Sequence, residues 1–228
     1  WSPDGSCLLF LSSRKDGNQA WTIPMAGGEP EQLTSFPGGV ANAAWSPDGR
    51  MVAFTADVFP ECGADAGCNK LVDERMSTGP LQAYMSDSLL YRHWDSWKEG
   101  KRTHLFVMTL STRSVVDVTP GDFDSPSHTS GTPGFSWSPT GTELCVVSNR
   151  GGRVAENTNN DLWLVPVSGG KAVCITAGNA AYDGAPQYSP DGRYIAYRTQ
   201  KVPFYEADRF RLALYDRKSG QSRILTEE

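Results

Sequence analysis

Trp45-Ser46-Pro47-Asp48-Gly49 is one of four copies of a pentapeptide, the pentad, that recurs along the chain. The other copies are WSPDG at 1–5, WSPTG at 137–141 and YSPDG at 188–192. Proline presets the backbone for a turn, aspartate hydrogen-bonds to its own backbone, and glycine takes the left-handed conformation. The pentad therefore predicts a tight turn between two strands at each of four places.

A threonine that recurs once per repeat gives an independent count of the repeats. In each repeat an apolar residue of a predicted strand lies 13 positions before this threonine, in the pairs Trp21/Thr34, Phe106/Thr119, Trp163/Thr176 and Ala213/Thr226. Four pentads and four pairs define repeats at 1–44, 45–136, 137–187 and 188–228. The distance from pentad to strand residue is 20, 61, 26 and 25 positions in turn. The second repeat therefore carries an insertion, which we place at about 58–100.

Each repeat contains short runs rich in β-branched and aromatic residues, separated by turns such as Gly27-Gly28. Four antiparallel strands about every 40–50 residues are typical of a β-propeller blade. The sequence thus predicts an all-β fold: one partial β-propeller domain of about four four-stranded blades over 1–228, the first lacking most of its innermost strand. Because the chain begins within a pentad and ends after a fourth-blade strand, we expect part of a ring of seven or eight blades. A closed ring of four is the alternative.

The insertion is predicted to be partly helical. Amphipathic patterns cover 71–76 and 81–90, and Gly79-Pro80 separates them, so two short helices are expected. Trp94 and Trp97 fall outside the register of the repeat, which makes them candidates for an interface.

The composition argues against several classes of function. The 228 residues include 23 Gly and 15 Pro and carry a net charge of −5. No basic stretch is long enough to follow a phosphate backbone, which argues against nucleic acid and anionic membrane as partners. The apolar runs are too short to span a membrane. No cofactor or metal site is predicted, and His93, His104 and His128 are interpreted as core or solvated side chains.

Several stretches resemble known families. The pentads with GGEPEQLT at 27–34 resemble the propeller repeats of TolB. The stretches 91–97, 100–107, 158–163 and 205–209 resemble the bacterial dipeptidyl-peptidase and acylaminoacyl-peptidase branch of the prolyl oligopeptidase family. The resemblance implies a propeller that caps an α/β-hydrolase domain with a Ser-Asp-His triad, restricts access to it and helps to position a peptide substrate.

The sequence departs from that family in one respect. It contains no Gly-x-Ser-x-Gly nucleophile motif; GFSWS at 134–138 comes nearest and lacks the second glycine. We therefore expect the hydrolase domain beyond Glu228, and no hydrolysis by this chain alone. The alternative is a stand-alone TolB-like propeller that acts as a protein-interaction module, and a homo-oligomer is compatible with either function.

Tyr205-Glu206-Ala207-Asp208-Arg209 is the candidate substrate-binding stretch. Acidic groups beside an aromatic ring suit a cationic amine, through charge-assisted hydrogen bonds and cation–π contact. We predict that Glu206 binds the free amino end of a peptide and that Asp208 and Arg209 order it. The alternative is an ordinary charged turn with a surface ion pair between Asp208 or Glu206 and Arg209.

Cys62 and Cys68 stand six positions apart in a loop-like stretch of the insertion. We predict a local disulfide, which implies an oxidising compartment, hence a periplasmic or secreted protein. Two free thiols, and a cytoplasmic protein, are the alternative. Cys7, Cys145 and Cys174 lie on separate apolar strands and are expected to pack as small hydrophobic residues.

Overall fold

The structure is a computed structural model that describes residues 1–81, 83, 85–87 and 89–226. Four antiparallel sheets, blades 1 to 4, follow one another along the chain. Blade 1 contains β1 (Cys7–Ser12), β2 (Gln19–Pro24) and β3 (Glu31–Gln32); blade 2 begins with β4 (Ala41–Trp45) and β5 (Met51–Val58). Helix α1 (Ala66–Thr78) and the hairpin β6 (Arg92–His93) and β7 (Ser96–Trp97) precede β8 (Arg102–Thr109) and β9 (Val115–Asp117), which complete blade 2.

Blades 3 and 4 have four strands each. Blade 3 contains β10 (Phe135–Trp137), β11 (Glu143–Ser148), β12 (Asp161–Pro166) and β13 (Val173–Cys174); blade 4 contains β14 (Asp183–Tyr188), β15 (Tyr194–Thr199), β16 (Arg211–Asp216) and β17 (Gln221–Ile224). Within the described residues no sheet closes on itself. The predicted all-β partial propeller is confirmed, and blade 1 has three strands.

One of the two predicted helices forms. Helix α1 includes 71–76, and Asp65 caps it by accepting a hydrogen bond from the Cys68 amide. The described residues within 81–90 adopt no helix, and 82, 84 and 88 lie outside the described residues. The apolar side chains Leu81, Met85 and Leu89 are 65–83% exposed. These side chains are not buried against the blades, and a short helix without such packing is unstable in water.

The pentad turns have the predicted chemistry. Ser46 donates its hydroxyl proton to Asp48 Oδ1 (2.7 Å) and accepts from the Met51 amide (2.9 Å), while the Arg50 amide donates to Asp48 (3.1 Å). Gly49 has a φ of +69°. The hydrogen bond from Ser46, followed by that from the Arg50 amide, lowers the pKa of the Asp48 carboxyl. The pentads at 1–5 and 188–192 repeat this arrangement.

The repeating threonine joins the last two strands of every blade. Its Oγ1 accepts a hydrogen bond of 2.8–2.9 Å from a backbone amide near the start of the first of these two strands, in the pairs Ala20/Thr34, Leu105/Thr119, Leu162/Thr176 and Leu212/Thr226. The preceding residue is polar in each blade: Gln19, His104, Asp161 and Arg211. The 13-residue spacing thus has a physical basis, because it keeps this side chain opposite the same amide.

Apolar seams join each blade to the next. Phe54, Phe106 and Phe36 meet between blades 1 and 2, with ring centroids 4.9–5.6 Å apart. Leu105 and Val146 belong to the seam between blades 2 and 3, and Leu162 and Ile195 to that between blades 3 and 4. Burial of apolar side chains on both faces of the inner blades holds them side by side.

The connections leave the blades at two opposite edges. The pentads and the turns between third and fourth strands lie at one edge, the turn face, where Gly49 lies against Pro3 and Gly192 against Pro139. The other connections form the loop face; in blades 2 to 4 they are 59–101, 118–134, 149–160, 175–182 and 200–210.

We expect the Thr119→Val substitution to lower the free energy of unfolding by about 1–3 kcal/mol, because the fully buried Leu105 amide loses its acceptor. Thr226→Val removes the equivalent hydrogen bond at an exposed site, where water can replace it, and should cost less than about 0.5 kcal/mol. Urea unfolding measures both variants. Equal losses would show that the threonine acts through something other than this buried amide.

Candidate functional site

The predicted substrate-binding stretch lies in the 200–210 loop on the loop face. Asp208 Oδ2 accepts hydrogen bonds from the amides of Lys201 (2.7 Å) and Val202 (3.1 Å), and the Arg211 guanidinium lies 3.2 Å away. These contacts, that with the Lys201 amide first, lower the pKa of Asp208 to about 2. The Asp208 carboxylate therefore binds groups of its own loop. Its ion-pair partner is Arg211, whereas the alternative considered from the sequence was a pair with Arg209.

Glu206 and Tyr205 lie at the exposed tip of the same loop. Tyr205 is 54% exposed, and the described part of the chain offers the Glu206 carboxylate no hydrogen bond or ion pair. The loop is anchored beneath them, because the Gln200 side chain donates to the Glu206 carbonyl (3.1 Å). Arg209 is exposed beside them. The geometry presents the Glu206 carboxylate to solvent on a fixed loop, beside the exposed rings of Tyr205 and Phe204.

This loop is connected to the 149–160 loop of blade 3. The Phe204 amide donates to Thr158 Oγ1 (3.1 Å), and Phe204 has a φ of +64°. Two of the stretches that carry the family resemblance, 158–163 and 205–209, therefore meet here although about 40 residues separate them in sequence.

The insertion forms a compact unit at the blade 2 end of the loop face. A disulfide joins Cys62 to Cys68, with Cα atoms 5.5 Å apart. Beneath it the buried Asn69 side chain accepts from the Phe59 amide (2.9 Å) and donates to the carbonyls of Gly63 and Asp65 (3.0 and 2.8 Å). Lys101 pairs with Asp73 of α1 (2.7 Å), so both ends of the insertion are fixed to blade 2.

The two candidate interface residues occupy the β6–β7 hairpin. Trp94, at the turn, is 81% exposed; Trp97 is 46% exposed and stacks on Tyr91 with ring centroids 5.6 Å apart. Trp97, Tyr91 and Met85 also line a cleft of about 1090 Å³ under the insertion. The hairpin thus presents an uncovered aromatic side chain on the same face as the 200–210 loop.

A second cleft, of about 530 Å³, separates the insertion from the 149–160 loop. Two ion pairs line it, Lys98–Asp124 (2.5 Å) and Arg102–Asp122 (2.9 Å), and His128 contributes an imidazole. Arg153 and Glu156 form a third ion pair on the lining, and Asp87 adds one more carboxylate.

Arg150 is a buried side chain that sequence reasoning missed. Its guanidinium lies between the rings of Phe123 (4.3 Å to the centroid) and Trp163 (4.1 Å). Burial lowers the pKa of Arg150 to about 10, and its Nε and Nη2 have no hydrogen-bond partner among the described residues. The cation–π contacts hold the start of the 149–160 loop against blade 3.

Asp183 is a second buried ionisable residue that sequence reasoning did not identify. It is 1% exposed, at the start of the innermost strand of blade 4; Oδ1 accepts from Asn179 (3.1 Å), and Oδ2 has no partner among the described residues. Burial raises its pKa to about 7, and burial likewise raises the pKa of the neighbouring Asp161. The seam between blades 3 and 4 therefore contains two carboxyl groups whose ionised form is disfavoured.

His104 and the remaining cysteines are structural. Both ring nitrogens of the fully buried His104 face oxygen atoms, Asp117 Oδ2 at 2.7 Å and the Gly121 carbonyl at 2.9 Å. Cys145 is fully buried, and Cys7 and Cys174 are half-buried free thiols. Among the described residues no three His, Cys, Asp or Glu side chains group around one metal position, and no helix is long and apolar enough to cross a membrane.

The architecture defines the chain as a segment of a β-propeller, and comparisons with known proteins agree. No family model matches the chain. Among solved structures it resembles TolB from Acinetobacter baumannii, with 19% identity and a TM-score of 0.58, and the match covers 99% of this chain and 42% of TolB. It resembles Pyrococcus horikoshii acylaminoacyl peptidase with 14% identity and a TM-score of 0.64, and the match covers 98% of this chain and 30% of the peptidase. It also resembles the β-propeller domain of the Trilobed protease from Pyrococcus furiosus, with 10% identity, a TM-score of 0.53, and coverage of 98% of this chain and 55% of that domain. At these identities the likeness concerns the fold alone.

Two curated proteins are similar to this chain in sequence. The chain is 31% identical to dipeptidyl-peptidase 5 of Porphyromonas gingivalis over 229 residues and 28% identical to that of Porphyromonas endodontalis over 222 residues. These alignments cover 97% and 94% of this chain, which spans about a third of the length of each relative (32% and 31%). The chain is thus a homologue of the dipeptidyl-peptidases that matches their propeller part, and the resemblance inferred from its motifs is confirmed.

Asp183→Asn should change how stability depends on pH. Because the pKa of Asp183 is raised to about 7 in the folded state, folding favours the protonated carboxyl. The contribution of this carboxyl to the free energy of unfolding is therefore full below about pH 4 and is lost as the pH rises through about 7. The variant cannot ionise, so its stability relative to the wild type should be greater at pH 8 than at pH 5 by about 3 kcal/mol, since one pKa unit corresponds to about 1.4 kcal/mol.

Thermal unfolding at pH 5 and pH 8 measures this difference. Asp191→Asn is the matched control, because hydrogen bonds from Ser189 and the Arg193 amide lower the pKa of that exposed carboxyl, so its replacement should destabilise the protein at both pH values. If Asp183→Asn leaves the change in Tm between pH 5 and pH 8 as large as in the wild type, Asp183 does not titrate as the structure indicates.

Proposed function

We propose that this chain is the non-catalytic propeller domain of a serine exopeptidase that gates access to the active site and helps to position the peptide substrate. The α/β-hydrolase domain with the catalytic triad would belong to the same polypeptide, outside these 228 residues. The observation that supports this most is the relationship to two dipeptidyl-peptidases over nearly the whole chain. The lack of a nucleophile motif in the sequence agrees with a non-catalytic role.

The connected loops of the loop face support a gating role. Phe204 is tied to Thr158, Asn160 donates to Thr129 (2.7 Å), and the Tyr182 hydroxyl donates to the Ser130 carbonyl (3.2 Å). These contacts connect blades 2, 3 and 4 at one edge, where an entering peptide would meet a continuous rim. The smaller cleft lies on one side of the 149–160 loop, and the 200–210 loop lies on its other side.

Glu206 is the group we propose to bind the free amino terminus of the peptide. Its carboxylate is exposed, and Tyr205 beside it offers an aromatic face to the ammonium. Asp208 acts indirectly, because its hydrogen bonds to the Lys201 and Val202 amides and its ion pair with Arg211 fix the loop that carries Glu206. Arg209 is exposed beside Glu206, and we propose that it contributes to the anchor from there, whereas Arg211 is the partner of Asp208.

The alternative, an interaction module of the TolB type, has weaker support. The likeness to TolB, at 19% identity, concerns the fold, whereas the relationship to dipeptidyl-peptidases extends to sequence. The exposed Trp94 and Trp97 fit a contact with the hydrolase domain or with a second subunit of a homo-oligomer.

We further propose a periplasmic or secreted location. The Cys62–Cys68 disulfide is compatible with an oxidising compartment, since disulfides are rare in the reducing cytosol. The cytoplasmic alternative predicts that both thiols are free in protein trapped with an alkylating agent at cell lysis.

The Glu206→Gln substitution in the full-length protein tests the amino-terminal anchor. It removes the charge but keeps the size of the side chain, so kcat/KM for peptides with a free amino terminus should fall about 10–100-fold, as expected for the loss of a charge-assisted hydrogen bond. Amino-terminally acylated peptides carry no ammonium, and their turnover should be unaffected. Steady-state kinetics with paired free and acylated peptides measures both effects.

Glu156→Gln is the matched control, since Glu156 is an exposed carboxylate in the adjacent 149–160 loop, ion-paired with Arg153. It changes the charge of the loop face by the same amount and should leave the ratio between the two substrates unchanged. An unaltered kcat/KM of the Glu206→Gln variant on free-amino peptides would eliminate Glu206 as the anchor.

A further inference from the structure

Two histidines that are 35 positions apart in sequence meet at the edge of the smaller cleft. His93 lies on β6 of the insertion hairpin and His128 in the 118–134 loop that leads into blade 3, and their ring centroids are 4.8 Å apart with the planes inclined at 59°. Neither imidazole has a part in the proposed substrate anchor, which belongs to blade 4.

The free nitrogen of His128 needs a partner. Its Nδ1 is buried and has no hydrogen-bond partner among the described residues. No described protein group occupies this nitrogen, so it is available as a metal ligand, and imidazole nitrogens are common ligands of metal ions.

The spacing of the rings fits two ligands of one ion. A zinc-like ion lies about 2.1 Å from an imidazole nitrogen, hence about 3.2 Å from the ring centroid, and two centroids 4.8 Å apart then subtend about 100° at the metal. The nearby cations are each paired with a carboxylate, Lys98 with Asp124 and Arg102 with Asp122.

We propose that His93 and His128 together bind one divalent transition-metal ion of the Zn²⁺, Ni²⁺ or Cu²⁺ class, with water from the cleft completing its coordination. Imidazole suits these ions, whereas Mg²⁺ and Ca²⁺ prefer oxygen ligands. The site was not predicted from the sequence, which assigned both histidines to structural roles. With two protein ligands the ion binds more weakly than in a structural site of four, and it would fasten the β6–β7 hairpin to the loop between blades 2 and 3.

Metal titration of the full-length protein tests the proposal. Isothermal titration with NiCl₂ should show one more bound equivalent in the wild type than in His93→Gln, and Cu²⁺ bound at this site should give an electron paramagnetic resonance spectrum of two imidazole nitrogens. His128→Gln should lose the same equivalent. Both variants should have the wild-type Tm in EDTA, which shows that they are folded.

Three further results bear on the proposal. Zn²⁺ should raise the Tm of the wild type but not that of His93→Gln, because only the folded protein brings the two rings together. Cys7→Ser, which removes a half-buried free thiol of blade 1, should keep the extra equivalent. If the wild type binds no more Ni²⁺ than His93→Gln, or if a folded His93→Gln variant retains the two-nitrogen copper spectrum, the proposal is wrong.

Discussion

Each inner blade must bury both faces of its sheet, and the rest of the structure depends on this requirement. In β5, Phe54 packs toward blade 1 while the adjacent Ala53 packs toward blade 3. A strand that is apolar on both sides has no face for water, so the sheets must stack side by side. Stacking leaves the connections at the two edges as the main sites for polar chemistry, and every candidate functional residue lies in one of them.

The two edges of the blades differ in how much of their polar chemistry is available to a ligand. On the turn face the pentad carboxylates accept hydrogen bonds from their own turns, as Asp48 does from Ser46 and Arg50, so they have little capacity left for a ligand. On the loop face the connections are longer and vary between blades, and they carry the insertion, both clefts and the exposed Glu206. Binding residues are commonly found on variable loops that a rigid scaffold positions.

The sequence predicted those features that depend on residues close together in the chain. The pentad turns and the threonine at its fixed spacing depend on residues close together in a repeat, so four copies revealed the blades. The ion pair of Asp208 with Arg211, the enclosure of Arg150 between Phe123 and Trp163, and the burial of Asp183 depend on the path of a loop or on which blades abut. Periodicity within one segment carries no information about such contacts, and for the same reason it predicted a second helix at 81–90, where the described residues adopt none.

The seam between blades 3 and 4 changes character as it approaches the loop face. Its centre is apolar, with Leu162 against Ile195, whereas its loop-face end holds Asp161, Asp183 and Asn160. Carboxyl groups with raised pKa values and an Asn160 oxygen without a partner among the described residues stabilise that end less than apolar contacts would. The loops that border the proposed anchor are therefore attached through the weaker part of the seam, and segments of low local stability are those that can move when a ligand binds. In the gating function that we propose, the apolar centre of the seam keeps the blades in position, and movement is confined to the polar rim on the loop face.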